Sequence, residues 1–237
     1  MTPPLILASS SPRRQELLQR LGVPFEVAAA AIDETQQPGE SPTALVQRLA
    51  REKALAGAAR LVGRPVLAAD TIVVLEGVVL GKPDDAADAA AMLRRLRGRP
   101  HTVWSALYAW QPATDRAAAV LNRSQVWMRP YGDDEIAAYV ASGDPLDKAG
   151  AYAIQHSGFA PVERIEGCFS GVMGFPLGDV AQVLRAIGID VPREVAAACQ
   201  PLPGLCCQHG QRDLALTTTA SHVTLGPLAS QSVSRPL

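Results

Sequence analysis

An α/β fold with a mixed central sheet flanked by helices is what the sequence predicts, and three observations predict it. Short apolar runs rich in Val, Leu and Ala alternate along the chain with segments whose apolar residues recur at helical spacing. Two long β-rich runs, residues 101–110 and 117–128, flank a turn containing Pro112 and are expected to pair antiparallel. The chain has 237 residues, 48% hydrophobic and 19% charged, which is enough apolar material to bury a full core.

Taken in order, residues 5–8 form an apolar strand broken by Ser9-Ser10-Ser11-Pro12, after which Leu17, Leu18 and Leu21 mark a helix closed by Gly22. Ser11 is placed to cap that helix, and Pro12 sits at its first position, where a missing N–H is harmless. Ser41-Pro42 starts a longer helix on which Leu45, Leu49 and Lys53 share one face. Residues 66–69 read as a strand ending at Asp70-Thr71, followed by residues 72–75, a Glu76-Gly77 turn and residues 78–80. A helix over 85–97, with Met92, Leu93 and Leu96 inward, stops at Gly98. Beyond the β pair, residues 133–142 predict an amphipathic helix, 144–150 a charged turn-rich loop, 151–154 and 162–166 two strands, and 176–187 a last helix.

The ordered domain is expected to span residues 1–194, with 195–237 as a disordered tail, because only three charges and no aromatics remain there and Pro, Ser and Thr recur without period. Cys199, Cys206, Cys207, His209 and His222 lie in that tail, but the adjacent Cys206-Cys207 does not fit the usual paired spacing of zinc ligands. Cys168 alone lies in the expected domain, so no disulfide framework is implied. The balance of 22 Lys+Arg against 23 Asp+Glu, net −1, argues against a generic polyanion binder, and the sparse aromatics (5%) argue against nucleic-acid stacking. No apolar run reaches a membrane span, and Met1-Thr2-Pro3-Pro4 lacks the positive charge of a secretion signal. The expectation is a cytoplasmic enzyme with neither membrane nor nucleic-acid partner.

No G-x-x-x-x-G-K-[ST], G-x-G-x-x-G, H-E-x-x-H or G-x-S-x-G pattern occurs. What does occur is Ser9-Ser10-Ser11-Pro12-Arg13-Arg14 at a strand-to-helix junction, where hydroxyls, free N–H groups and guanidinium forks suit a phosphate. An ordinary capped helix with exposed arginines fits the same residues. Asp70, at a strand's carboxyl end, suits a general base or a cation ligand, or simply a turn. Lys53 extends an inward stripe, either as a snorkelling stem or as a cation aimed into a cleft. Lys82 in Gly81-Lys82-Pro83 and Lys148 in Asp147-Lys148-Ala149-Gly150 each project from a tight turn. Together with Arg13, Arg14 and Lys53 they form a cationic set in a chain with no positive excess.

These residues, in this order, resemble the Maf family. The matching motifs are Leu7-Ala8-Ser9-Ser10-Ser11-Pro12-Arg13-Arg14, Ala50-Arg51-Glu52-Lys53-Ala54, Ala69-Asp70-Thr71-Ile72-Val73, Gly81-Lys82-Pro83, residues 143–152 with Ile154-Gln155, and Val172-Met173-Gly174-Phe175-Pro176-Leu177. The likeness covers about residues 5–190. It implies a two-lobed fold around a cleft, like that of inosine triphosphatases, and a nucleoside triphosphate pyrophosphatase that cuts between the α and β phosphates with help from Mg²⁺ or Mn²⁺. It further implies Asp70 as proton acceptor, Asp70 and Glu34 as metal ligands, and Ser9, Arg13, Arg14, Glu34, Lys53, Thr71, Lys82, Lys148 and Gln155 as substrate-binding residues. A homodimer is the oligomer the resemblance suggests.

Thr71 after Asp70, and Gln155 in its context, look like the branch acting on dTTP and UTP, which removes non-standard nucleotides before incorporation. The sister branch, acting on 7-methyl-GTP, carries Gln after the catalytic Asp. A non-catalytic regulator of septum formation is the other alternative the family offers. His156-Ser157-Gly158-Phe159 and Cys168-Phe169-Ser170-Gly171 depart from the family pattern.

Overall fold

A computed structural model describes residues 4–29, 31–200, 202 and 212–217. One mixed sheet organises it. Strands β1 (Leu5–Leu7), β2 (Phe25–Val27), β3 (Val66–Leu75), β5 (Pro100–Gln111), β6 (Arg116–Met128) and β7 (Val162–Glu166) run in the order β2-β1-β3-β5-β6-β7. The short strand β4 (Val78–Leu80) also pairs with β3, and β8 (Arg212–Thr217) also pairs with β6. The β1–β2 and β1–β3 pairs are parallel and the remainder antiparallel.

Side-chain alternation along the strands sends odd and even residues to opposite faces. Leu5, Leu7, Leu67, Ala69, Leu107 and Val120 meet α1 (Pro12–Arg20) and α6 (Leu177–Ala186) on one face. Ile6, Ala68, Ile72, Ala106 and Tyr108 meet α2 (Pro42–Arg60) on the other. A third cluster, around Val73, Val103, Leu93, Tyr131 and Tyr152, joins the far end of the sheet to α3 (Ala86–Leu96) and α4 (Asp133–Ala141). That separate cluster is the second lobe.

The antiparallel β5–β6 pair and α2, α3, α4 and α6 match the sequence reading within a residue or two. Ser41 caps α2 by accepting from the Ala44 N–H, and Asp85 caps α3 by accepting from the Asp88 N–H. Other expectations change. Ser11 holds the N-cap position of α1, but its hydroxyl makes no capping bond. Asp70 is not at a strand end: residues 66–75 are one continuous strand, because β5 pairs with it throughout. Residues 151–154 are not a strand. Gly150 (φ 70°) and Ala151 (φ 59°) adopt left-handed backbone, which turns Ala149–Ala151 into a helical turn.

Val195–Cys199 forms helix α7, with Ala198 and Cys199 packed into the α1–α6 core, and β8 lies along β6. Cys206, Cys207, His209 and His222 lie outside the described residues.

One contact sets how closely α2 lies on the sheet. A Cβ added at Gly57 would stand 2.6 Å from the Ala8 Cβ and 3.1 Å from the Ala28 carbonyl oxygen. Gly57 is one helical turn beyond Lys53, so the same close approach carries Lys53 over β3. Gly57→Val should lower the free energy of unfolding by about 1–3 kcal/mol through overpacking, read as a shifted urea midpoint; an unshifted midpoint would show that the helix has room to spare.

Candidate active site

Strand β3 is paired with β5 along one edge, but its other edge is shared. β1 runs beside it as far as Leu7 opposite Leu67, and β4 returns beside it from Leu80 opposite Val73. Between the two, residues 69–72 have no strand neighbour on that side, and a cavity of about 460 Å³ opens over the gap. Asp70 and Thr71 occupy the gap and point to opposite faces.

Asp70 faces α2. Its Oδ1 accepts from Lys53 Nζ at 2.5 Å, and the same ammonium donates to Glu34 Oε1 at 2.7 Å. Lys53 reaches it because Leu45 and Leu49, on the same stripe of α2, are buried against the sheet. The Asp70 side chain is 8% exposed and that of Lys53 14%. Burial raises the Asp70 carboxyl above its ordinary range, against the opposing pull of the Lys53 and Arg14 charges. Burial also pushes Glu34 upward, but its hydrogen bond to Lys53 and the charges of Lys53, Lys82 and Arg14 hold it below the usual value.

The expected cations divide into two kinds. Arg14 lines the cavity, yet its guanidinium is committed to the protein: Nη1 to the Ala69 carbonyl (2.7 Å), Nε to the Gly174 carbonyl (3.1 Å), and Nη2 to Thr71 Oγ1 (3.2 Å). Ser9 Oγ accepts from Arg14 Nη1 at 3.4 Å and from the Ser11 N–H at 3.3 Å. Lys148, 7% exposed, is likewise spent on Asp144 Oδ1 (2.9 Å), the Asp144 carbonyl and Asp147 Oδ1 (2.6 Å). Its work is to fold its own loop. Arg13 and Lys82 are the open cations. Arg13 has a long 3.5 Å pair with the exposed Asp147, and Lys82 makes no ion pair among the described residues.

Backbone contacts join the two lysine turns, since the Gly150 N–H donates to the Gly81 carbonyl at 2.9 Å. A Cβ at Gly150 would meet Val73 at 3.0 Å, so this turn presses directly on β3. Gln155 is exposed at the cavity rim, beyond Tyr152, Ala153 and Ile154. All nine residues predicted to bind substrate therefore border one cavity, together with Asp70.

Some participants were not singled out from the sequence. Ser105 Oγ lies 3.0 Å from Thr71 Oγ1 and donates to the Gly171 carbonyl at 2.8 Å. His101 Nε2 lies 2.8 Å from the Tyr152 hydroxyl, and burial lowers its pKa to about 4, keeping the ring neutral. Both are polar side chains at inward positions of an apolar strand, which was the one signal available. The atypical Cys168-Phe169-Ser170-Gly171 segment is a short helix, α5 (Phe169–Val172), held by Ser105 and by Ser124 Oγ, which accepts from the Cys168 N–H at 3.0 Å.

The Maf-like protein family model matches residues 4–187. Curated proteins named dTTP/UTP pyrophosphatase are similar to this chain. One from Geobacter metallireducens is 47% identical over 184 residues, 78% of this chain and 96% of its own. One from Burkholderia pseudomallei is 48% identical over 195 residues, covering 78% and 93% respectively. One from Pelotomaculum thermopropionicum is 42% identical over 187 residues, covering 79% and 98%.

The neighbouring arginines should separate in a stability measurement. Arg14→Met leaves the Ala69 and Gly174 carbonyls short of a donor and should cost about 2–4 kcal/mol, whereas Arg13→Met should stay within about 0.5 kcal/mol of the parent. Equal denaturant midpoints for the two variants would contradict the structural role given to Arg14.

Proposed function

This chain belongs to the Maf family, and on that premise we propose that it hydrolyses dTTP and UTP to the nucleoside monophosphate and pyrophosphate. The observation that carries the reading is the Asp70–Lys53–Glu34 cluster, a buried carboxylate held on an ammonium inside a cleft that also presents Arg13 and Lys82.

Asp70 is the base. Its Oδ1 is anchored by Lys53, which leaves the other oxygen to take a proton from the attacking water. The anhydride oxygen between the α and β phosphates then leaves with pyrophosphate, and Lys53, Arg13 and Lys82 offset the charge that gathers there. Arg14 fixes the floor of the cleft by tying Ala69 and Thr71 of β3 to Gly174. A binding protein for a polyanion would gain nothing from a carboxylate at this point, so catalysis fits better than regulation by binding alone.

Asp70 and Glu34 share one ammonium at 2.5 and 2.7 Å and therefore stand close enough to serve one cation. No third His, Cys, Asp or Glu joins them among the described residues. Two carboxylates completed by substrate phosphates is the donor set that suits Mg²⁺ or Mn²⁺, so these residues fit the metal the family implies. When bound, such an ion supplies charge neutralisation on the phosphate oxygens. No helix among the described residues is long and apolar enough to cross a membrane, and a cytoplasmic location accords with a substrate drawn from the nucleotide pool.

Asp70→Asn should lower kcat for dTTP on the order of 10³-fold, measured as pyrophosphate release, with the fold intact by circular dichroism. The base works only when deprotonated, and burial raises its pKa in the free enzyme. The parent's kcat/KM should therefore fall tenfold per pH unit below a break lying above the ordinary Asp value of about 3.9. Parent-level turnover by the Asn variant would remove Asp70 from the chemistry.

A further inference from the structure

Glu34 differs from the other members of the charged cluster in what holds it. Asp70 sits in β3 and Lys53 in α2, whereas the described residues between β2 and α2 form neither helix nor strand, and none of residues 31–40 is buried. A segment that packs nothing into a core opens readily unless polar contacts tie it down. Those contacts come from α2. Arg60 Nη1 donates to the Ala29 carbonyl ahead of Glu34, and Arg48 Nη2 donates to the carbonyl of Thr35, the next residue, at 3.0 Å.

Arg48 carries most of this hold. Its Nε and Nη2 grip Glu40 Oε1 and Oε2 at 2.7 and 3.0 Å, and its Nη1 donates to Glu52 Oε2 at 3.1 Å. A two-pronged, charge-assisted grip is the tightest that an arginine makes on a carboxylate, and here the two side chains are only 18% and 9% exposed. Glu40 in turn folds the segment: its Oε2 accepts from the Gln37 N–H at 3.0 Å and its carbonyl from Gln36 Nε2 at 2.7 Å. Consecutive residues are thus fastened to one helix by different groups, Glu34 through its carboxylate to Lys53 and Thr35 through its carbonyl to Arg48. Arg48 itself does not border the cavity.

We propose that Arg48 is a positioning residue of the active site: by gripping Thr35 and Glu40 it holds Glu34 beside Asp70 as the second carboxylate for a divalent cation, and it never touches substrate. The proposal rests on the reading of Asp70 and Glu34 as cation ligands in a pyrophosphatase. Lys53 alone cannot do this work, because a cation arriving at the two carboxylates competes with the ammonium for their oxygens. The Arg48 contacts lie outside that competition and keep Glu34 in place while it lasts.

The test is calorimetric titration with α,β-methylene-UTP, which cannot be cut between its α and β phosphates, once with Mn²⁺ and once with EDTA. In parallel, kcat/KM for UTP is measured by pyrophosphate release. The parent should bind the analogue more tightly with Mn²⁺ than with EDTA, and Glu34→Gln should lose most of that gain. Arg48→Met should cut both the gain and kcat/KM on the order of tenfold with the affinity in EDTA unchanged, a split that general loosening of the fold would not produce. Arg48→Lys, which keeps the charge but not the fork, should recover only part of the loss. In the Glu34→Gln background Arg48→Met should add nothing, because the arginine acts through that carboxylate. Should Arg48→Met fail to fold by thermal melting, Glu40→Gln, which weakens the same grip, should reduce the same gain. A parent without the Mn²⁺-dependent gain, an Arg48→Met or Glu40→Gln variant that keeps it in full, or fully additive losses in the double variant would overturn this inference and leave the pyrophosphatase reading standing. A parent that releases no pyrophosphate from dTTP or UTP would overturn that reading, and this inference with it.

Discussion

The ammonium of Lys53 makes it possible for this sheet to hold a carboxylate in its interior. Desolvating Asp70 without a partner would cost several kcal/mol or drive the group to neutrality. Lys53 supplies the compensating charge from the opposite layer, through a stem that lies on the same stripe as Leu45 and Leu49. The pair is thus held by packing, since the reach of the ammonium depends on how closely α2 sits on β1, and that distance is set where Gly57 meets Ala8. Glu34, on the outer side of the same ammonium, brings the three-residue cluster to one net negative charge, which the nearby Lys82 and Arg14 charges offset.

Around this pair the cations serve two ends that their charge alone does not distinguish. Arg14 and Lys148 give nearly all their donors to backbone carbonyls and carboxylates of the protein. Arg14 satisfies the Ala69 carbonyl in the gap where β3 lacks a strand neighbour, and Lys148 folds its own loop. Arg13 and Lys82 keep their charge available. In a frame stiffened by two committed cations, Lys82 and the loosely paired Arg13 border the cleft.

Much of this was legible in the sequence because it follows from periodicity and capping. The spacing of Leu45, Leu49 and Lys53 predicted the face of α2, the inward Met92, Leu93 and Leu96 predicted α3, and two β-rich runs around Pro112 predicted the β5–β6 pair. The ordered motifs identified the residues that border the cavity. What stayed hidden was partnership. Arg13 and Arg14 are adjacent and chemically identical, yet successive helical residues diverge by about 100°, so Arg13 reaches Asp147 while Arg14 reaches the Ala69 and Gly174 carbonyls. β2 is only three residues long and half exposed, too short for a pattern to register. The helix at 195–199 packs against α6, and strand β8 pairs with β6, which lies far away in sequence. Residues 151–154 have the composition of a strand, but the positive φ of Gly150 and Ala151 turns the chain before one can form.

The position of Asp70 within β3 sends two consecutive polar residues to opposite sides of the sheet. Had the strand ended at residue 69, as its composition suggested, Asp70 and Thr71 would lie in a loop, free to face the same way. Inside a pleated strand they must diverge, one toward α2 and its charges, the other toward Ser105. A slip of one residue against β5 would exchange the two faces. The register is accordingly pinned on every side: by the long ladder to β5, by Arg14 on the Ala69 carbonyl, and by Gly150 pressed against Val73. Because the two residues answer to different neighbours, α2 for Asp70 and β5 for Thr71, the Asp70–Lys53 ion pair and the Thr71–Ser105 contact lie on separate faces of the sheet.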